Sequence, residues 1–219
     1  MNKIGFSGSC PNGDISVLSD QIRRLKEVGI DTIEVPIYET DVICGKKINQ
    51  PELKILKKTL LDQNMNYTVH GELSVNFLDI DNFDNHKEIL KRDIEVSSEI
   101  RATHLVTHFG QTTNEIFENK ALYESHLQMQ KDCYSEMGEY AKKFNVILAI
   151  ENLFPFTLKH YAPLPSEIAN QINLINHPNI KCCLDISHGY INSTFRNVNF
   201  IDEIKKMAPL SEHIHMHDS

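Results

Sequence analysis

Seven short apolar runs, rich in β-branched residues, recur at a spacing of roughly 35 residues, and this rhythm constrains the fold more than any other feature. They are KIGFS (3–7), TIEVPI (32–37), YTVH (67–70), HLVTH (104–108), VILAIE (146–151), IKCCLD (180–185) and HIHMH (213–217). Between them lie stretches with apolar residues three and four apart: ISVLSDQIRRLKEVG, PELKILKKTLLDQ, HKEILKRDIEVSSEI, a long one from about Lys120 to Phe144, PSEIANQINLI and NFIDEIKKM. Gly29 follows the first of these, and Pro51 and Pro165 stand near two starts, as helix ends require. Strict strand–helix alternation demands a parallel sheet, because parallel neighbours must be joined by crossovers. No linker, low-complexity segment or composition break interrupts the pattern, so residues 1–219 read as one domain.

Such a sheet is either open or closed as a barrel, and the polar residues decide between them. Nearly every strand ends in a group that can ligate a metal or carry a proton: Glu34, His70, His108, Glu151, Asp185 with His188 just beyond, and His215 or His217. In a closed barrel the carboxyl ends of all strands converge on one site, whereas an open sheet concentrates its chemistry at one switch point. No GxGxxG or GxxxxGK[ST] loop follows the first strand. The expected fold is therefore an α/β (β/α)8 TIM barrel, counted here to seven strands and lacking the eighth strand and its helix.

Composition narrows the function. Hydrophobic residues at 41% and charged residues at 24% suit a globular core. A net charge of −8, with no basic block interleaved with aromatics, weighs against a general polyanion binder. No apolar run approaches the roughly 18 residues of a membrane span. The start, MNKIGFSGSCPNGD, has no signal-like apolar stretch, so a cytoplasmic location without membrane contact is expected. Five cysteines without CxxC spacing read as reduced thiols, with Cys182 and Cys183 packed in a strand.

Five independent strand ends, His70, His108, Glu151, Asp185 and His215, supply ligand-type atoms. Glu151 closes the apolar run ILAI and Asp185 closes CCL. A carboxylate at the mouth of an apolar barrel is costly to desolvate unless a divalent cation satisfies it. Mixed imidazole and carboxylate donors suit Zn²⁺, Mn²⁺ or Co²⁺, and a carboxylate-dominated subset also accepts Mg²⁺. Glu34 reads as a cap on the following turn, outside the site; His104 starts its strand at the opposite end. His86, His126, His160 and His177 read as solvated. In HIHMHDS, alternation sends His213, His215 and His217 inward, and packs Ile214 and Met216 against surrounding helices. His215 then stands at ligand height, His217 is an extra ligand or a partner of one, and His213 lies deeper as a structural group.

GIDTIEVPI, VHGELSVN, VTHFG, AIENL, LDISHGY and IHMHDS, in this order, resemble the xylose isomerase-like TIM barrels, the superfamily of sugar isomerases, epimerases and endonuclease IV. The resemblance implies that Glu151, Asp185 and His215 hold a shared metal whose fourth ligand is a glutamate on the eighth strand. In its epimerase branch Glu151 is also the acid/base and His188 holds substrate hydroxyls, with Asn76, His217 and Asp218 as further substrate contacts. In its endonuclease branch His70, His108 and Glu151 hold a second zinc, and His188 helps hold a third. Against that branch, GFSGSC lacks the endonuclease's following His and Ser, YETDVICG offers no Arg or aromatic wedge, and AIENLFPF lacks the glycine-rich continuation. The favoured reading is a metal-dependent isomerase or epimerase with a small carbohydrate as partner; nucleic acid is a partner only for the abasic-site phosphodiesterase. A non-catalytic barrel-derived binding protein is the third reading, and assembly as a homo-oligomer stays open.

Overall fold

The computed structural model describes residues 4–217. Seven strands form one parallel sheet in sequential order: β1 (Gly5–Ser7), β2 (Thr32–Pro36), β3 (Asn66–His70), β4 (His104–His108), β5 (Ile147–Glu151), β6 (Ile180–Asp185) and β7 (Ser211–His215). The helices of eight residues or more are α1 (Val17–Glu27), α2 (Gln50–Leu60), α3 (Phe83–Glu99), α4 (Lys120–Lys143), α5 (Pro165–Ile175), α6 (Ile186–Phe195) and α7 (Phe200–Met207). All seven expected strands form, shifted by no more than two residues at most ends.

The sheet is curled. Five strand-to-strand steps of about 4.8 Å would hold β2 and β7 about 24 Å apart in a flat sheet. Instead His213 Nε2 on β7 lies 2.9 Å from Glu34 Oε2 on β2. Alternation along each strand then separates two cores. Outward residues such as Ile33, Val35, Val69, Leu105, Leu148, Ile150, Cys182 and Leu184 join the helices' apolar faces in the main core. Inward, a small separate cluster of Val106, Ala149 and Cys183 forms an apolar layer of the barrel interior. Every fully buried aliphatic side chain contributes about 1.5–3 kcal/mol, so the outer layer holds the fold and leaves the inner face free for polar groups.

Helix α1 buries Leu18, Ile22 and Leu25 on one stripe. Pro165 opens α5, where Glu167 accepts from the Leu164 amide at 2.7 Å, and Asn176 closes it with φ 47°. Helix α6 was not foreseen, since ISHGYINSTF is rich in weak helix formers. Asp185 starts it by accepting from the His188 amide at 2.6 Å.

Two expectations about the outer packing and the remote histidines fail. Ile214 and Met216 do not pack under helices; they are 56% and 81% exposed. His86 and His126 are buried rather than solvated, His86 turning toward Asp79 at 3.4 Å. The five cysteines are free thiols, four of them buried. No helix among the described residues is long and apolar enough to cross a membrane.

Candidate active site

The carboxyl ends of β3 to β7 deliver His70, His108, Glu151, Asp185 and His215 to one mouth of the curled sheet. Register makes this automatic: His108 pairs with Glu151 across β4 and β5, and Asp185 with His215 across β6 and β7. Glu151, 1% exposed, is the hub. Its Oε1 lies 2.9 Å from His215 Nδ1 and 3.5 Å from His188 Nδ1. Its Oε2 lies 3.3 Å from His70 Nε2 and 3.4 Å from His108 Nε2, yet makes no hydrogen bond. Asp185 divides its oxygens: Oδ1 caps α6, while Oδ2 sits 3.0 Å from His217 Nε2, 3.6 Å from His188 Nδ1 and 3.9 Å from His215 Nδ1.

A second layer holds these groups still. Asn152, fully buried, donates to the Asp185 carbonyl and accepts from the Asp185 amide, both at 2.9 Å, so its amide locks β5 to β6 at the site. Its own carbonyl accepts from His188 Nδ1 at 3.1 Å. Tyr134 of α4 donates to the His108 carbonyl at 2.8 Å. Glu34 is the largest surprise, because it does not cap a turn. It is buried inside the barrel, 2.9 Å from His213 and 3.1 Å from His215, with Ser7 Oγ donating at 3.2 Å. Its strand-end position was visible; its partners, about 180 residues away, were not.

The xylose isomerase-like TIM barrel family matches residues 22–219. The chain belongs to that family. Among curated proteins none matches it. Among solved structures it resembles a D-tagatose 3-epimerase-like protein at 20% identity and TM-score 0.72, covering 100% of this chain and 77% of that one. A D-allulose 3-epimerase from Methylomonas sp., in complex with D-allulose, aligns at 14% identity and TM-score 0.70, covering 100% and 73%. A xylose isomerase-like TIM barrel protein from Mycobacterium smegmatis, in complex with magnesium, aligns at 15% and 0.68, covering 99% and 76%. At these identities the likeness is one of fold.

Carboxylates and imidazoles share this mouth, and their charges respond to one another. Burial pushes the Glu151 carboxyl up, but His108, His215 and His70 hold it well below the usual carboxylate range. Glu34 behaves alike: burial opposes ionisation, and hydrogen bonds from His213 and His215 outweigh it. Burial disfavours the charged form of His70, and Glu151 overrides that and raises its pKa. Burial likewise opposes charging of His215, while Cys183, Glu151 and Glu34 raise it. Ionised carboxylates that lack Lys or Arg partners among the described residues, and an orphaned Glu151 Oε2, form a donor set that fits a divalent ion. Three overlapping groups have ligand atoms within 4.8 Å of one another: Glu151–Asp185–His215, His70–His108–Glu151 and Asp185–His188–His217. Cys183 approaches His213 and His215 to the same limit, but burial pushes its thiol up and keeps it a poor ligand.

The remaining expected residues divide. His217, half-exposed, joins the cluster through Asp185. Asn76 turns its amide to loop backbone, donating to the Gln111 carbonyl at 2.9 Å and accepting from the Leu78 amide at 3.1 Å. Asp218 lies outside the described residues. Around the mouth, the Tyr38 ring packs 5.2 Å from His70 and Phe154 packs 5.0 Å from His188. Phe154 follows β5 in a loop and Tyr38 sits in the single turn Ile37–Glu39, where no periodicity marks a residue. Tyr38 gives YETDVICG an aromatic at the mouth, contrary to expectation.

Proposed function

We propose that this chain is a metal-dependent isomerase or epimerase that moves a proton at the carbon beside the carbonyl of a small carbohydrate. The observation that carries the reading is the convergence of Glu151, Asp185 and His215, from three successive strands, with ligand atoms within 4.8 Å. A divalent ion there, Zn²⁺ or Mn²⁺ by donor type with Co²⁺ or Mg²⁺ as substitutes, would polarise neighbouring carbonyl and hydroxyl oxygens. Glu151 is the acid/base. Its Oε1 faces His215, while Oε2, with no hydrogen bond among the described residues, lies between His70 and His108 at 3.3 and 3.4 Å. His188 donates through Nδ1 to the Asn152 carbonyl, which leaves Nε2 for substrate hydroxyls. Phe154 beside it offers an apolar face for the sugar's C–H surface. The fold likeness to a D-tagatose 3-epimerase-like protein and a D-allulose 3-epimerase supports the substrate class.

The test is proton exchange. Protein loaded with Zn²⁺ or Mn²⁺ and incubated in D2O with free ketoses should place deuterium beside the carbonyl and invert or relocate that centre, as read by NMR. Absence of exchange with every sugar, together with cleavage of an abasic-site duplex, would reverse the assignment. One observation favours that second reading: Glu151 presents each oxygen to a different histidine group, more donors than one ion needs. Metal stoichiometry separates the two, a single ion suiting the isomerase and two or three suiting a phosphodiesterase. Failure to bind Zn²⁺, Mn²⁺ or Co²⁺ would leave the non-catalytic binding protein.

A further inference from the structure

We infer that Glu34 is a positioning residue, which holds the His215 ring so that Nδ1, and not Nε2, faces the metal centre. The inference rests on the reading of Glu151, Asp185 and His215 as metal ligands. Its basis is the division of the His215 ring between two carboxylates. Nδ1 points to the mouth, 2.9 Å from Glu151 Oε1 and 3.9 Å from Asp185 Oδ2. Nε2 points the other way, 3.1 Å from both oxygens of Glu34. An imidazole bound to a cation through one nitrogen keeps its proton on the other, and a carboxylate accepting that proton fixes both tautomer and ring rotation.

Glu34 is built for that task. It is buried on β2, across the barrel from β7, so it meets His215 from the side opposite Glu151. Ser7 Oγ donates to Oε1 at 3.2 Å, and His213 Nε2 lies 2.9 Å from Oε2, so the carboxylate itself cannot swing. Its ion pairs among the described residues are with these two histidines, and the second of them, His213, lies deeper than the mouth. Both Glu34 oxygens reach His215 Nε2 at 3.1 Å, while Ser7 and His213 each hold one of them in place. The arrangement is a carboxylate–histidine–metal relay in which β2 controls a ligand on β7.

The test is NMR on the full chain with ¹⁵N-labelled histidine, loaded with ¹¹³Cd²⁺. The His215 signal, assigned by its loss in His215→Gln, should show cadmium coupling to Nδ1 and a directly bonded, slowly exchanging proton on Nε2. Glu34→Gln should weaken Cd²⁺ and Zn²⁺ binding by about 10–100-fold, move the ¹¹³Cd resonance and speed exchange of that proton. Cadmium coupled to Nε2, or unchanged affinity and resonance in a folded Glu34→Gln protein, would overturn the inference and leave the metal reading standing. Absence of bound cadmium in the unmodified protein would overturn both. The measurement on the unmodified protein decides the point even if the variant fails to fold.

Discussion

At the level of single residues, the mouth is a balance of negative oxygens against imidazoles, and Glu151 touches most of them. Glu151→Gln should lower the rate of proton exchange by about 10²–10⁴-fold, since the amide is neither base nor anionic ligand. Steady-state exchange rates and Zn²⁺ titrations should fall together; retained activity would remove Glu151 from its role. A different carboxylate makes the opposite case. Asp93 of α3 is wholly buried, and burial, reinforced by the charge of Glu72, pushes its pKa well above the ordinary value. Its Oδ2 accepts from the Glu72 amide at 3.2 Å, and Oδ1 has no hydrogen-bond partner among the described residues. A carboxyl whose folded pKa is raised favours folding below the unfolded pKa of about 3.9, and that contribution is lost as pH rises through the folded value. Asp93→Asn should therefore be more stable than the parent at pH 7 by about 1–3 kcal/mol, with the gap closing toward pH 4 in urea titrations. A parent that stays the more stable protein at pH 7 would contradict the burial cost. Residues of the first kind were legible in the sequence because each ends an apolar run. Glu34 and Asn152 were not, because their work depends on a partner that only the fold supplies, His215 in one case and Asp185 in the other.

Among the elements, strands were the easy part. A strand covered on both faces is a continuous apolar run, and a polar residue closing it stands out. Helix α6 was illegible for the converse reason: Gly189, Asn192, Ser193 and Thr194 give it no propensity and no stripe. It exists because Asp185 caps its start and Asn192 donates to the carbonyls of Leu153, Ala162 and Pro163, at 3.1, 3.2 and 3.1 Å. The loop after β4 depends on another local device. Gly110 has φ 97°, and a Cβ there would lie 2.2 Å from Asn76 Oδ1. Gly110→Ala should cost about 1–3 kcal/mol through strain and displaced loop contacts, read by chemical denaturation. A neutral effect would mean that Asn76 and the loop yield freely.

For the whole molecule, ligand binding and stability are linked. An ion that binds the folded chain alone, present at about 100 times its Kd, adds about 2.7 kcal/mol. For a chain of this size that raises Tm by roughly 5–10 °C. Protein stripped with chelator should melt lower and recover on addition of Zn²⁺ or Mn²⁺ in calorimetry; an unchanged Tm would argue against the centre. The strand–helix rhythm made the barrel legible, and the seventh strand was found from HIHMH alone. What rhythm could not convey is the state of the sheet's edges, where Ile4 and Phe6 on one side and Ile214 and Met216 on the other are exposed.

The bridge from Glu34 to His215 spans 181 positions of chain, and it joins strands that are not neighbours in the sheet. Contacts of such sequence separation carry a large loop-closure entropy and form late. Tight cation binding should accordingly be the last event of refolding. In stopped-flow experiments a metal-sensitive dye should lose its ion only after the far-ultraviolet signal has recovered, which would make ion uptake a clock for completion of the native state.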